Sequence, residues 1–345
     1  VEVDGAANTN YCNGILLGDN AKWVKDGLVW DCSVHHLRGD PGPNDSGIGF
    51  KSLNSQVSFS NVVSEFNLKG MDIGEQSGPG GYDLLNKVWN STFHSNAVSG
   101  IGLTGKAAPY DGRIRNWVFN CVITSNNNFG INCYSAPQET VIVHNVIGYN
   151  GDTALNGSYA GNIRANPNDA SDTSPMEVLI LNNVLVAPAD CQLCNTDYTT
   201  SRDGAGSDYT QFSDWNLYVQ RADELFAQWA YYNGREFLHM PYSQGPGAPT
   251  GRWATTYSNT TNPPARGRGH RGSDAHSMSI AAGADEARHL WKAAYPHYLL
   301  NTSRPGTNFA AAPWMIPEMG FDRLGHARVE YSIGPYEAGA SAGAR

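Results

Sequence analysis

Asp72, Glu75, Lys106 and Arg164 are the side chains here most suited to moving a proton, and Lys51, Arg113, Asn132 and Tyr134 to holding a polar ligand beside them. Removing a proton next to a carboxylate takes a base, together with Ca²⁺ or an Arg or Lys that neutralises the carboxylate. Cleavage by water at an acetal carbon takes two carboxylates instead, one donating a proton and the other acting as base or nucleophile. Asp72 and Glu75 are three positions apart and could form such a pair or hold Ca²⁺; the plainer reading is a solvated strand end, since exposed carboxylates are ordinary. Lys106, Arg113 and Arg164 could neutralise an acid, with Arg164 alternatively the base, or could be surface charges balancing nearby acids such as Asp111. Tyr134 is either a stacking or proton-donating group or a rim aromatic covering the next turn of chain.

These residues fall in a repeat. The phrase "SGIGFKS" (46–52) returns as "KGMDIGE" (69–75), "SGIGLTG" (99–105) and "FGINCYS" (129–135), with glycines at 47, 70, 100 and 130, spaced 23, 30 and 30. Out of phase with it, an aliphatic strand runs into asparagine in "VSFSNVV", "NKVWNSTF", "WVFNCVI", "VIVHNVI" and "LILNNVL", giving Asn61, Asn90, Asn120, Asn145 and Asn183, with Asp31 as an earlier member. Two short alternating strands per period, each ended by a residue that tolerates left-handed backbone, predict an all-β chain wound into a parallel β-helix, or β-solenoid. The period of two points Ile48 and Phe50, Met71 and Ile73, Ile101 and Leu103, Ile131 and Cys133 inward. Gly49, Asp72, Gly102 and Asn132 then point outward, followed by Lys51, Gly74, Thr104 and Tyr134. "GNIRANPND" places Arg164 at the outward position of the next rung.

Composition narrows the classes. Only 16% of the 345 residues are charged, and a 40% hydrophobic content is enough for a core. The net charge of −9 repels polyanions, so nucleic acid is an unsuitable partner, and an acidic polymer would need a bridging cation or a local basic pocket. No apolar run is long enough to span a membrane. The opening "VEVDGAANTNYC" is no signal peptide and reads as a strand already under way, as in a mature or trimmed chain. N-x-S/T at Asn44, Asn90, Asn156, Asn259 and Asn301 is no more than chance supplies and says nothing about glycosylation.

Taken together, these phrases resemble the right-handed parallel β-helix proteins, the pectate-lyase-like superfamily of secreted carbohydrate-active proteins. The repeat carries the likeness over 13–186; "SDWNLYV" (213–219) and "GSDAHSMSI" (272–280) are similar to late coils. The end "FDRLGHARVEYSIGPYEAGA" (321–340) is similar to a closing coil, through Asp322, Gly325, Arg328, Ile333, Gly334, Tyr336 and Glu337. The resemblance implies one exported, extracellular domain over 1–345 with late coils over 187–320 and a closing coil over 321–340; the residues themselves make the late coils loop-rich, with one short helix expected at 221–232. The resemblance also implies a glycan groove on one outer face, where the residues above would serve a polysaccharide lyase, with or without Ca²⁺, or a glycoside hydrolase. The paired-aspartate and His-Gly signatures of polygalacturonases and the Arg-x-Pro-x-x-Arg run of pectate lyases are absent. The alternative is a non-catalytic protein that binds glycan or associates with itself through open rung ends or the tail "EAGASAGAR".

Other clusters read as weaker signals. Asp274, His276 and Ser277 are too close along one strand to converge as a triad. The adjacent pair His35 and His36 is a poor metal signature, and "RGRGHRG" (266–272) reads as a basic loop crossing. Six cysteines are too few for a disulfide scaffold; Cys191 and Cys194 are spaced for a local bridge and lack the second pair a zinc site needs. No residue is assigned as a metal ligand, and the cofactor stays open, with Ca²⁺ as the candidate.

Overall fold

The computed structural model describes residues 1–6, 12–18, 24–37, 39, 46–53, 55–74, 84–105, 114–134, 138–151, 161–166, 176–181, 183–186, 209–214, 217–219, 316–327 and 335–336. The apolar alternation seen in the sequence becomes a right-handed parallel β-helix with three faces. The Gly-led sheet holds β2 (Ile15–Leu17), β5 (Ile48–Leu53), β8 (Lys69–Gly74), β11 (Ser99–Thr104), β14 (Phe129–Tyr134) and β17 (Gly161–Asn166). The Asn-ended sheet holds β3 (Gly27–Trp30), β6 (Val57–Ser60), β9 (Leu84–Trp89), β12 (Ile114–Phe119), β15 (Gln138–Val143), β18 (Met176–Leu181) and β20 (Tyr209–Asp214). Between them lies a sheet of three-residue strands: β1 (Glu2–Asp4), β4 (Ser33–His35), β7 (Val63–Glu65), β10 (Thr92–His94), β13 (Val122–Thr124), β16 (Val146–Gly148), β19 (Val184–Val186) and β21 (Leu217–Val219). Two strands per coil were expected and three are found. The asparagine corner does not end a coil; it splits one apolar run into a long strand and a short one.

Each strand pairs in parallel with its counterpart one coil away, and inward side chains stack in files. Phe50, Met71, Ile101, Ile131 and Ile163 form one file, with Ile73, Leu103 and Cys133 beside them, all buried as the alternation predicts. Phe59, Val88, Val118, Ile142 and Ile180 meet them from the Asn-ended sheet, and Val34, Phe93, Ile123, Ile147 and Leu185 from the short sheet. Burying such side chains contributes about 1.5–3 kcal/mol each, which is what offsets the ordering of the backbone. Among the described residues no helix is long and apolar enough to cross a membrane.

The corners differ from expectation in two ways. At the first, Asp31, Asn61, Asn90 and Asn120 do adopt left-handed backbone (φ 53–55°), but the next member is His144 (φ 56°), not Asn145. Asn145 and Asn183 sit one residue further on, buried, in line with Cys121: the Cys121 N–H donates to Asn145 Oδ1 (2.8 Å) and Asn145 Nδ2 to Asn183 Oδ1 (2.9 Å). At the second corner, between the short and Gly-led sheets, the sequence reading anticipated nothing. His36, Phe66, Ser95, Ser125 and Tyr149 are left-handed there, and after the last four comes buried Asn67, Asn96, Asn126 or Asn150. Asn96 Nδ2 donates to Asn126 Oδ1 (2.9 Å), Asn126 Nδ2 to Asn150 Oδ1 (2.8 Å) and Asn150 Nδ2 to Asn162 Oδ1 (3.0 Å). This file explains the glycines. A Cβ on Gly70, Gly100 or Gly130 would lie 2.9, 2.9 or 2.7 Å from the Nδ2 of Asn96, Asn126 or Asn150.

A C-terminal strap, the 3-10 turn Pro317–Gly320 and the residues after it, crosses the outside of the first corner. The Lys87 ammonium meets Glu318 Oε1 at 2.6 Å, the Arg323 guanidinium donates to the Ser91 carbonyl (2.7 Å) and Thr92 Oγ1 (2.7 Å), and Asn120 Nδ2 donates to the Phe321 carbonyl (2.8 Å). The D-x-x-G part of the closing phrase is a turn: Asp322 Oδ1 accepts the N–H groups of Leu324 (2.9 Å) and His326 (2.8 Å), and Gly325 supplies φ +83°. Cys32, Cys121 and Cys133 are free thiols. The late-coil loops, the 221–232 segment, "GSDAHSMSI", "RGRGHRG", Cys191, Cys194 and the tail from 337 lie outside the described residues.

Candidate functional site

The outward row of the Gly-led sheet runs Leu16, Lys51, Asp72, Gly102, Asn132 and Arg164, one residue per coil. The next outward row runs Leu53, Gly74, Thr104 and Tyr134. The expected assignment had put Lys51 in the second row beside Gly74. It belongs in the first, directly against Asp72, because Gly49, not Gly47, is the counterpart of Gly70; Gly47 (φ +77°) belongs to the turn before β5. Rungs are about 4.8 Å apart, so Lys51 and Asp72 are neighbours while Asp72 and Arg164, three rungs apart, are separated by roughly 14 Å.

Asp72 is the centre of this surface. Its Oδ2 accepts from the Lys69 ammonium at 3.0 Å, and Thr104 Oγ1 approaches Oδ1 at 3.5 Å. Gly102 leaves room for the carboxylate: a Cβ there would stand 3.1 Å from Asp72 Oδ1. Lys51 is buried, while Asn132, Tyr134 and Arg164 are half-buried. Arg164 is turned back over the ring of Phe129, 5.1 Å from its centroid, a cation–π contact that orients the guanidinium plane. Asn132 Oδ1 is buried without a hydrogen-bond partner, a polar atom that the fold leaves unused.

The structure therefore gathers Lys51, Asp72, Asn132, Tyr134 and Arg164 on one face, and adds Lys69 and Thr104, which the sequence reading passed over. Lys69 stands three residues before Asp72, an odd step that strict alternation would send to the other face, so the sequence pattern did not signal it. Glu75, Lys106, Asp111 and Arg113 lie outside the described residues. On what is described, the face carries one carboxylate among three cations, a local reversal of the chain's overall −9. It can bind and neutralise an anion along the axis; a second carboxylate opposite Asp72 is not among the described residues.

Another outward row was missed altogether. Across the short sheet, Asp4, His35, Glu65, His94 and Thr124 stand in line, acid alternating with histidine over the first four coils. His94 Nε2 pairs with Glu65, and the Phe66 ring lies between His36, stacked at 5.3 Å, and His94, edge-on at 5.5 Å. The Asn-ended sheet offers less: Trp117, Phe119 and the buried ion pair of Arg115 Nε with Glu139 Oε2 (2.7 Å) are covered. Compared with protein-family models, curated proteins and solved structures, the chain matches none.

Proposed function

We propose that this is an extracellular protein of the pectate-lyase-like β-helix type that binds an acidic polysaccharide along the outer face of the Gly-led sheet and cleaves it by elimination. The observation that carries the reading is the register: Lys51, Asp72, Gly102, Asn132 and Arg164 follow one another along the axis, as successive subsites for an extended chain would. The cations suit uronate carboxylates: with one neutralised beside it, Asp72 would take the neighbouring proton as base, a C=C bond would form as the glycosidic C–O bond breaks, and the departing oxygen would take a proton from water. Tyr134, one row over, would stack on a sugar ring. Hydrolysis would need a second carboxylate near Asp72, such as Glu75.

One observation favours binding without cleavage. Asp72 is held by Lys69 and neighboured by Thr104, which is how a carboxylate is fixed as a structural or recognition group. Self-association through open rung ends belongs to the same non-catalytic class.

The test is incubation with neutral and acidic glycans, with and without Ca²⁺, recording unsaturated products, reducing ends and retention on the glycan. Elimination predicts unsaturated products from acidic glycans alone, lost in Asp72→Asn or Arg164→Gln. Retention without product would establish the binding reading, and indifference to acidic glycans would remove both. Light scattering in the same session reads particle size.

A further inference from the structure

We infer that Asp4, His35 and His36 form a binding site for a divalent transition-metal ion of the zinc type, at the start of the short sheet. Asp4 Oδ1, His35 Nδ1 and His36 Nδ1 lie 3.3 Å (His35 to Asp4), 3.4 Å (His36 to Asp4) and 2.9 Å (His35 to His36) apart. Three ligand atoms each about 2.0–2.1 Å from one ion in tetrahedral array are about 3.3 Å from one another. The three donors already occupy such corners, with no side chain having to move far.

Consecutive residues of a strand point to opposite faces, and that is why an adjacent histidine pair is a poor signature. Here the corner intervenes. His35 ends β4, and His36 is left-handed (φ 57°), which turns its ring to the same side. Register then brings in Asp4, the partner of His35 on β1.

The surroundings fix the donors. His35 Nε2 meets Glu2 Oε1 at 3.0 Å, a contact that would hold the ring proton on Nε2 when an ion takes the Nδ1 lone pair beside Asp4 and His36. A carboxylate behind a ligating imidazole is the usual outer support of a metal-bound histidine. The His36 ring is held by its stack on Phe66, and the Ala6 N–H donates to Asp4 Oδ1 at 2.9 Å. Two imidazole nitrogens and one carboxylate are a borderline N/O donor set, which suits Zn²⁺ and its first-row neighbours and not Ca²⁺ or Mg²⁺. Asp4 and His36 are about half exposed, leaving a further coordination position to water. The ion would also tie β1 to β4 on the coil behind it.

The experiment is calorimetric titration of the full chain with Zn²⁺ at neutral pH, alongside the visible spectrum with Co²⁺. We expect one Zn²⁺ per chain, a higher Tm with Zn²⁺, and Co²⁺ d–d bands. His36→Ala and Asp4→Asn should each weaken binding at least tenfold and abolish the bands, and Glu2→Gln, which keeps all three donors, should weaken it about tenfold. His94→Ala, on the same row one coil beyond Glu65, should bind like the parent chain. Far-UV circular dichroism on each variant separates misfolding from loss of a ligand. The inference is overturned by no binding to the parent chain, by binding undiminished in His36→Ala and Asp4→Asn, or by equal loss in His94→Ala.

Discussion

Among the polar files that run along this solenoid, one inside and one outside repeat once per coil and obey different rules. In the inner file, Asn96, Asn126 and Asn150 each use side-chain oxygen and nitrogen on the coils before and behind, and each is buried. In the outer file, Lys51, Asp72, Gly102, Asn132 and Arg164 keep the same spacing but change type from coil to coil. The inner file must be amide at every step, because a buried donor or acceptor without a partner costs about 1–3 kcal/mol. The outer file is under no such rule, so its variation is where recognition can be written.

The largest break in that contrast should come from Asn126→Leu. It removes the acceptor of the Asn96 N–H (3.1 Å) and Asn96 Nδ2 (2.9 Å) and the donor to the Phe93 carbonyl (3.2 Å) and Asn150 Oδ1 (2.8 Å). Urea unfolding should show a loss of about 4 kcal/mol or more; a loss under about 1 kcal/mol would mean that the file is not what holds the corner. Gly100→Ala comes next, since its Cβ would meet the Gly130 carbonyl oxygen at 2.7 Å and Ile123 Cγ2 at 2.8 Å, for about 1–3 kcal/mol.

On the outer file the expectation is reversed. Arg164→Gln, which gives up one half-buried cation–π contact, should cost under about 1 kcal/mol of stability, yet should lower retention on an acidic glycan about tenfold. Stability lost without any change in retention would turn the outer file into a structural one. Two thiols sharpen the inside of the comparison: burial pushes Cys121 and Cys133 up to about 12. Neither should react with iodoacetamide at pH 8 until the chain is unfolded.

The smallest effect concerns the strap. Burial acts to raise the Glu318 carboxyl, but the Lys87 hydrogen bond, a backbone hydrogen bond and the Lys87 charge together leave it below its ordinary value. A depressed carboxyl stabilises the docked strap above the ordinary glutamate range, and that contribution is lost as pH falls through the lower, docked value. Hydrogen exchange at the Asn120 corner should therefore quicken, relative to a buried-strand reference, from pH 6 to below pH 4. Glu318→Gln should remove that difference.

Much of the fold was legible because its signals are local. Inward Met71, Ile73, Ile101 and Leu103 follow from alternation, and Asn61, Asn90 and Asn120 mark a corner because asparagine tolerates left-handed backbone. Asn67, Asn96, Asn126 and Asn150 were equally periodic, but sit in phrases without a shared neighbour ("EFN", "HSN", "TSN", "GYN") and so escaped notice. Asn145 misled for the opposite reason: matching asparagine to asparagine put it at the corner, where the strand register puts His144.

By itself, then, the sequence determined that the chain winds, which side chains fill its core and where it can turn, since each depends on a residue and its near neighbours. The tertiary structure alone decided that a coil has three faces, that Lys51 lies against Asp72 and that His35, His36 and Asp4 converge. Those facts depend on how many residues each corner consumes before the next rung begins, and that number is set by the coil underneath.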